Sequence, residues 1–286
     1  MANKVKSLKL QIPEYITVDK YREINSYKGQ NKFGRLVYTV AKLTGEPFDE
    51  VRLWDLDSLT KVSNLYAGIA DHNNFFYPII KWRDKLYGYS SIRKATLGEY
   101  IDLETYCKDL EENMHRVAAI LYRPIEKHRL GNLSFDTKQG IEVVNNKTDK
   151  VFDKYTIEKY DSDKRAEIED DFKDFPVHLF LGSISFFFEH RKPIFEQYSF
   201  FEGEDNLDAE DEERDNNNGK SFGQHWGWFA TLYQLAKTNA LSITGDSCIT
   251  DLNLLFALNY LEIDKDYNHE IEKEKNKQIQ QARSRY

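Results

Sequence analysis

Residues 96–124 read TLGEYIDLETYCKDLEENMHRVAAILYRP. The stretch opens on Thr96-Leu97-Gly98-Glu99, the spacing of a capping box. There the Thr and Glu side chains reciprocally satisfy backbone N–H groups left free at a helix start. Ile101, Leu103, Cys107, Leu110, Met114, Val117, Ala118 and Leu121 follow on a helical pattern, and Pro124 ends it. One long helix is predicted, and it points the fold class to mainly α.

The flanking sequence extends this reading. On the N-terminal side, residues 7–12 alternate polar and apolar as a short strand that Pro13 stops. Thr17 caps a helix bearing Val18, Tyr21 and Ile24, and a second helix runs from Lys32 to Leu43 with Gly45 as its stop. Pro47 opens a short helix. Asp57 caps another, with Leu59, Val62, Leu65, Tyr66 and Ile69 on one face. Residues 75–82 are β-rich, Arg83-Asp84-Lys85 reads as a turn, and Leu86 to Tyr89 return as a second strand.

On the C-terminal side, residues 131–170 are polar and loop-like, with strand potential only at Ile141 to Val144. Residues 176–189 are apolar on nearly every side, the mark of a helix inside a core. A helix over 225–237 carries Trp226, Trp228 and Phe229. Thr250 caps a last helix with Leu252, Leu254, Leu255, Leu258 and Leu261 inward, and the charged tail 270–286 extends it into solvent. The expected architecture is mainly α with a small β-hairpin. Residues 1–201 form a helical core, 202–220 an acidic flexible linker and 221–286 a C-terminal helical module.

The charge balance narrows the function. The chain of 286 residues has a net charge of −8. Residues 202–215 hold nine acids and one base, so this segment alone matches the net charge and the remainder is balanced. No basic stripe marks a nucleic-acid binder, so no direct nucleic-acid contact is expected. Eighteen Tyr and eighteen Phe supply ample apolar surface for a core. The two cysteines, Cys107 and Cys248, read as thiols of a reducing compartment. Neither a signal peptide nor a membrane-spanning run is expected.

Signatures of chemistry are missing. Neither G-x-G-x-x-G nor G-x-x-x-x-G-K-[ST] occurs, so no nucleotide cofactor is expected. The histidines at 72, 115, 128, 178, 190, 225 and 269 are scattered, with no C-x-x-C, so no metal is expected. His178 reads as a core residue. A Cys107–His115 dyad fails on distance, because eight helical residues separate its members by about 12 Å. Gly182-Ser183-Ile184-Ser185 reads as close helix packing rather than a nucleophile, since G-x-S-x-G is absent. The chain reads as non-enzymatic.

Two stretches resemble a known family. Thr96 to Glu104 with His115 to Pro124 is one; Trp226-Gly227-Trp228 with Leu232-Tyr233-Gln234-Leu235-Ala236 is the other. Together they are similar to small helical tailed-phage proteins encoded near tail genes, the tail assembly chaperones. The resemblance implies a virion-morphogenesis role in the host cytoplasm, with other virion proteins as partners. A helical tape-measure-like protein would be kept soluble until the tail tube forms. The alternative is a structural virion component such as a tail or neck ring, connector or packaged protein. The acidic insert and residues 131–170 depart from the family pattern. Trp226, Trp228 and Phe229 are the expected partner-binding residues, because aromatics concentrate at interface hot spots.

Overall fold

The computed structural model describes residues 15–70, 76–129, 131, 134–138, 141–144, 149–198, 227–238, 240–246 and 248–283. The chain forms two compact units, each built from two stretches. The first joins Met1–Ser90 to Tyr106–Phe186, the second Ser91–Thr105 to Phe187–Tyr286. Both units interleave along the chain and so cross the sequence-based division at 201 and 221. The stretch read as a linker, 202–220, and the strand read at 7–12 lie outside the described residues.

In the first unit, α1 (Val18–Asn25) is capped by Thr17, whose hydroxyl accepts from the Lys20 N–H at 3.2 Å. Helix α2 (Lys32–Thr44) ends on Gly45 at φ 75°, where the left-handed backbone favours glycine. After the short α3 (Phe48–Val51), α4 (Leu56–Ala70) is capped two residues earlier than expected. Asp55, not Asp57, accepts from the Ser58 N–H at 2.8 Å and from its hydroxyl at 2.7 Å.

A mainly α fold with only a small hairpin is corrected by the sheet. Helix predominates, but among the described residues a six-stranded antiparallel sheet forms the scaffold of this unit. Its strands are β1 (Ile79–Trp82), β2 (Lys85–Tyr89), β3 (Tyr122–His128), β4 (Asp136–Lys138), β5 (Ile141–Val144) and β6 (Tyr155–Ile157), in the order β4-β5-β1-β2-β3-β6. The expected hairpin is its centre: Ile80 pairs with Tyr87 and Trp82 with Lys85. Arg83 and Asp84 sit at φ 50° and 60°, so the connection is a two-residue turn whose positive φ values match the strand twist. Arg83 is held there by ion pairs to Asp171 at 3.3 Å and Asp174 at 2.6 Å.

The outer strands escaped sequence reading for identifiable reasons. Strand β4 is three exposed polar residues and β6 only three residues long, too short to show a period of two. Residues 131–170 are therefore not loop alone; they also hold α7 (Ser162–Ile168). Pro124 does not terminate a helix but sits within β3, opposite Tyr87. Its carbonyl still accepts from the Glu158 N–H at 2.9 Å, so only the donor half of that ladder position is lost.

The long helix expected over 96–121 is two helices, α5 (Leu97–Cys107) and α6 (Leu110–Leu121). The apolar period runs on through the break, which hides it. The break falls at Lys108-Asp109, and the Asp109 carbonyl accepts the Asn113 N–H at 3.1 Å to start the second helix. Packing against α1, α7 and the 3-10 turn Glu169–Asp174 then buries Met114, Val117, Ala118 and Leu121 of α6.

Aromatic rings supply much of the core of the first unit. Trp82 lies 5.2 Å from both Phe172 and Phe175, and Phe76 stacks on Phe186 at 3.7 Å. Buried Tyr122 donates to the Tyr77 carbonyl at 2.8 Å and Tyr155 to the Tyr89 carbonyl at 2.8 Å. Gly88 is required where Tyr155 crosses the sheet: a Cβ there would meet the Tyr155 ring at 2.4 Å.

The second unit is helical: α5 through Thr105, the end of α8 (Val177–Phe195), α9 (Trp228–Lys237), α10 (Leu241–Thr244) and α11 (Leu254–Arg283). Residues 95–97 and 252–254 exchange backbone hydrogen bonds, Leu97 N–H to Leu252 at 2.8 Å and Leu254 N–H to Ala95 at 2.9 Å. The helix α11 cap is Asn253, not Thr250, and it accepts the Phe256 N–H at 3.2 Å. Thr250 packs on Gly98 instead, so closely that a Cβ at 98 would lie 2.9 Å from it.

Candidate protein-binding face

Helix α9 carries the aromatic residues singled out by sequence. Trp226 lies outside the described residues. Gly227, at φ 51°, precedes the helix, and the next two side chains part company. Trp228 is half-buried and Phe229 is 74% exposed. Adjacent helical positions differ by about 100°, so the two cannot share a face.

Trp228 belongs to a polar cluster. Its indole N–H donates to Glu104 Oε2 at 2.6 Å, and its ring meets Tyr100 edge-on at 5.3 Å. The other carboxylate oxygen, Glu104 Oε1, accepts from the Tyr100 hydroxyl and from the Arg191 guanidinium, which also donates from Nε to Tyr100. Phe195 stacks on Tyr100 at 5.0 Å. Burial, then the Glu104 charge, raises the Tyr100 pKa far above the ordinary phenol value, so it remains a hydroxyl donor. The cluster ties α5, the end of α8 and the start of α9 through one carboxylate.

Held in this way, α9 turns another side to solvent. Phe229 and Tyr233, one helical turn apart, form a ridge, and Tyr233 is 53% exposed. Lys237 continues the row with its ammonium 4.9 Å from the Tyr233 ring centre. Leu235, on the opposite side, is fully buried. Sequence inspection missed Tyr233, although its i,i+4 spacing from Phe229 was the available signal. Glu104 and Arg191 had none, being more than 80 residues apart.

The first unit contains a cleft of about 540 Å³ whose lining includes Trp82, Tyr87 and Phe172. Four cations and four carboxylates line it as well, with Arg83 paired to Asp171 and Arg165 to Glu158 at 2.8 Å. Its charge is balanced and singles out no ligand sign. Trp82 Nε1 and Arg165 Nε lack acceptors, but both atoms are sealed from solvent and so from the cleft. Among the described residues, no group of three His, Cys, Asp or Glu is placed to hold a metal, and no helix is long and apolar enough to cross a membrane. His178 and Ser183 are buried side chains of α8.

Comparison with protein-family models, curated proteins and solved structures finds no match for this chain.

Proposed function

We propose that the protein works by binding other proteins rather than by catalysis, as an assembly factor of tailed-phage morphogenesis in the host cytoplasm. The observation that carries the reading is the solvent-facing ridge of Phe229 and Tyr233 on a helix whose other side is locked by the Glu104 cluster. A rigid apolar ridge with its neighbours fixed suits the groove or apolar face of a partner helix, because little ordering entropy remains to be lost on docking. The tail assembly chaperone resemblance supplies the setting and a helical, tape-measure-like partner. The acids at 202–215 would steer a basic partner and make association salt-sensitive.

The test is co-purification of the chain with the product of a neighbouring tape-measure-like gene. Phe229→Ser with Tyr233→Ser should keep the helical circular dichroism and lose the partner. Undiminished capture by that folded variant removes the ridge from the mechanism. Mass spectrometry of purified particles separates the roles. A chaperone is absent or scarce there, whereas a ring or connector appears at fixed copy number.

A further inference from the structure

Helix α11 is 30 residues long, yet its buried residues, Leu254, Ala257 and Leu258, all lie in its first five positions. From Ile263 to Arg283 only Asp264 and Ile271 are even half-buried. About 30 Å of helix therefore projects without packing, at 1.5 Å per residue. Helices in proteins draw most of their stability from a packed apolar face rather than from propensity. The projecting part still carries such a face. Ile263, Tyr267 and Ile271 recur at i,i+4, and the first two are 68% and 64% exposed.

The charge order along α11 says what covers it. Residues 262–272 hold Glu262, Asp264, Asp266, Glu270 and Glu272 against Lys265; residues 273–283 hold Lys273, Lys275, Lys277 and Arg283 against Glu274. The two halves are oppositely charged. Within one helix the i,i+4 neighbours are like-signed, Glu262–Asp266, Asp266–Glu270, Glu270–Glu274 and Lys273–Lys277, and repel. Opposite pairs at i,i+3, such as Glu270–Lys273 and Glu272–Lys275, offset this locally but leave the halves unequal. A second α11 laid antiparallel would put each acidic half along the other's basic half, and would oppose the helix dipoles. A parallel one would set like against like.

We infer that α11 pairs antiparallel with α11 of a second copy of this chain, over residues 262–283, in a two-fold symmetric contact. Ile263, Tyr267 and Ile271 then face the partner helix, and the acid and base halves set direction and register.

The experiment measures the solution mass of the full chain by light scattering and sedimentation across the micromolar range. The wild type should give twice the mass of the chain, with affinity falling as salt rises. Lys273→Glu, Lys275→Glu, Lys277→Glu makes α11 acidic throughout, and Asp266→Lys, Glu270→Lys, Glu272→Lys makes it basic throughout. Each triple variant, folded by circular dichroism, should be monomeric alone and should form a mixed dimer with the other. A monomeric wild type overturns the proposal, as does dimerisation of either variant alone or failure of the mixture to associate.

Discussion

Replacing Glu104 by Gln should cost the second unit about 2–3 kcal/mol, and the figure follows from the donors that converge on this side chain. The carboxylate accepts from Tyr100, Arg191 and Trp228 through its two oxygens. Gln keeps the shape but offers only one oxygen. If it stays with Tyr100 and Arg191, the new NH2 group confronts the Trp228 N–H, leaving two donors face to face. A buried donor without an acceptor costs about 1–3 kcal/mol, and turning charged hydrogen bonds into neutral ones forfeits about 1 more. The Arg191 charge is partly exposed and rehydrates, so its share is discounted. Urea unfolding followed by circular dichroism and tryptophan fluorescence reads the loss. Emission should shift as the start of α9 loosens around Trp228. A change under about 0.5 kcal/mol with unaltered emission would refute the claim that this carboxylate fixes α9.

Other positions give independent tests. Gly88→Ala should destabilise the first unit by about 1–3 kcal/mol, because the Tyr155 ring is anchored by its bond to the Tyr89 carbonyl and cannot retreat from the new Cβ; thermal denaturation measures it, and an unchanged midpoint would place Tyr155 elsewhere. Asp84→Gly should stabilise by a few tenths to about 1 kcal/mol, since glycine occupies φ 60° without steric cost, and denaturant titration would expose the opposite sign if the turn were of another type. Burial lowers the His115 pKa below its ordinary value, so the unfolded chain takes up this proton first as pH falls. Its contribution is full above the unfolded value of about 6.5 and is lost below it, down to the folded value; His115→Gln should flatten the decline of the urea midpoint in that window, and an identical decline would assign the acid sensitivity to other groups.

Much of the local structure was legible from the sequence. Thr17, Gly45, Thr96 and the residues around Arg83-Asp84 announce helix ends and a turn because caps and turns depend on neighbours within four residues. The apolar phase of α6 and α8 could be read for the same reason. The position of Asp55 rather than Asp57, and of Asn253 rather than Thr250, at a helix start could not, because several cap-competent residues stood side by side and packing chose among them.

By itself, then, the sequence determined most of the helices, though not the break at Lys108-Asp109 or α7, together with the central hairpin, the charge segregation along the chain and the lack of catalytic motifs, all properties of residue type and short spacing. Only the tertiary structure decided that the hairpin is the centre of a six-stranded sheet, since β4 and β6 are too short to carry a period of their own. It also decided that Trp228 turns inward while Phe229 and Tyr233 face solvent. That choice rests on Glu104, which lies 124 residues from Trp228 in the chain, is itself held by Arg191, and meets the indole only once the helices pack.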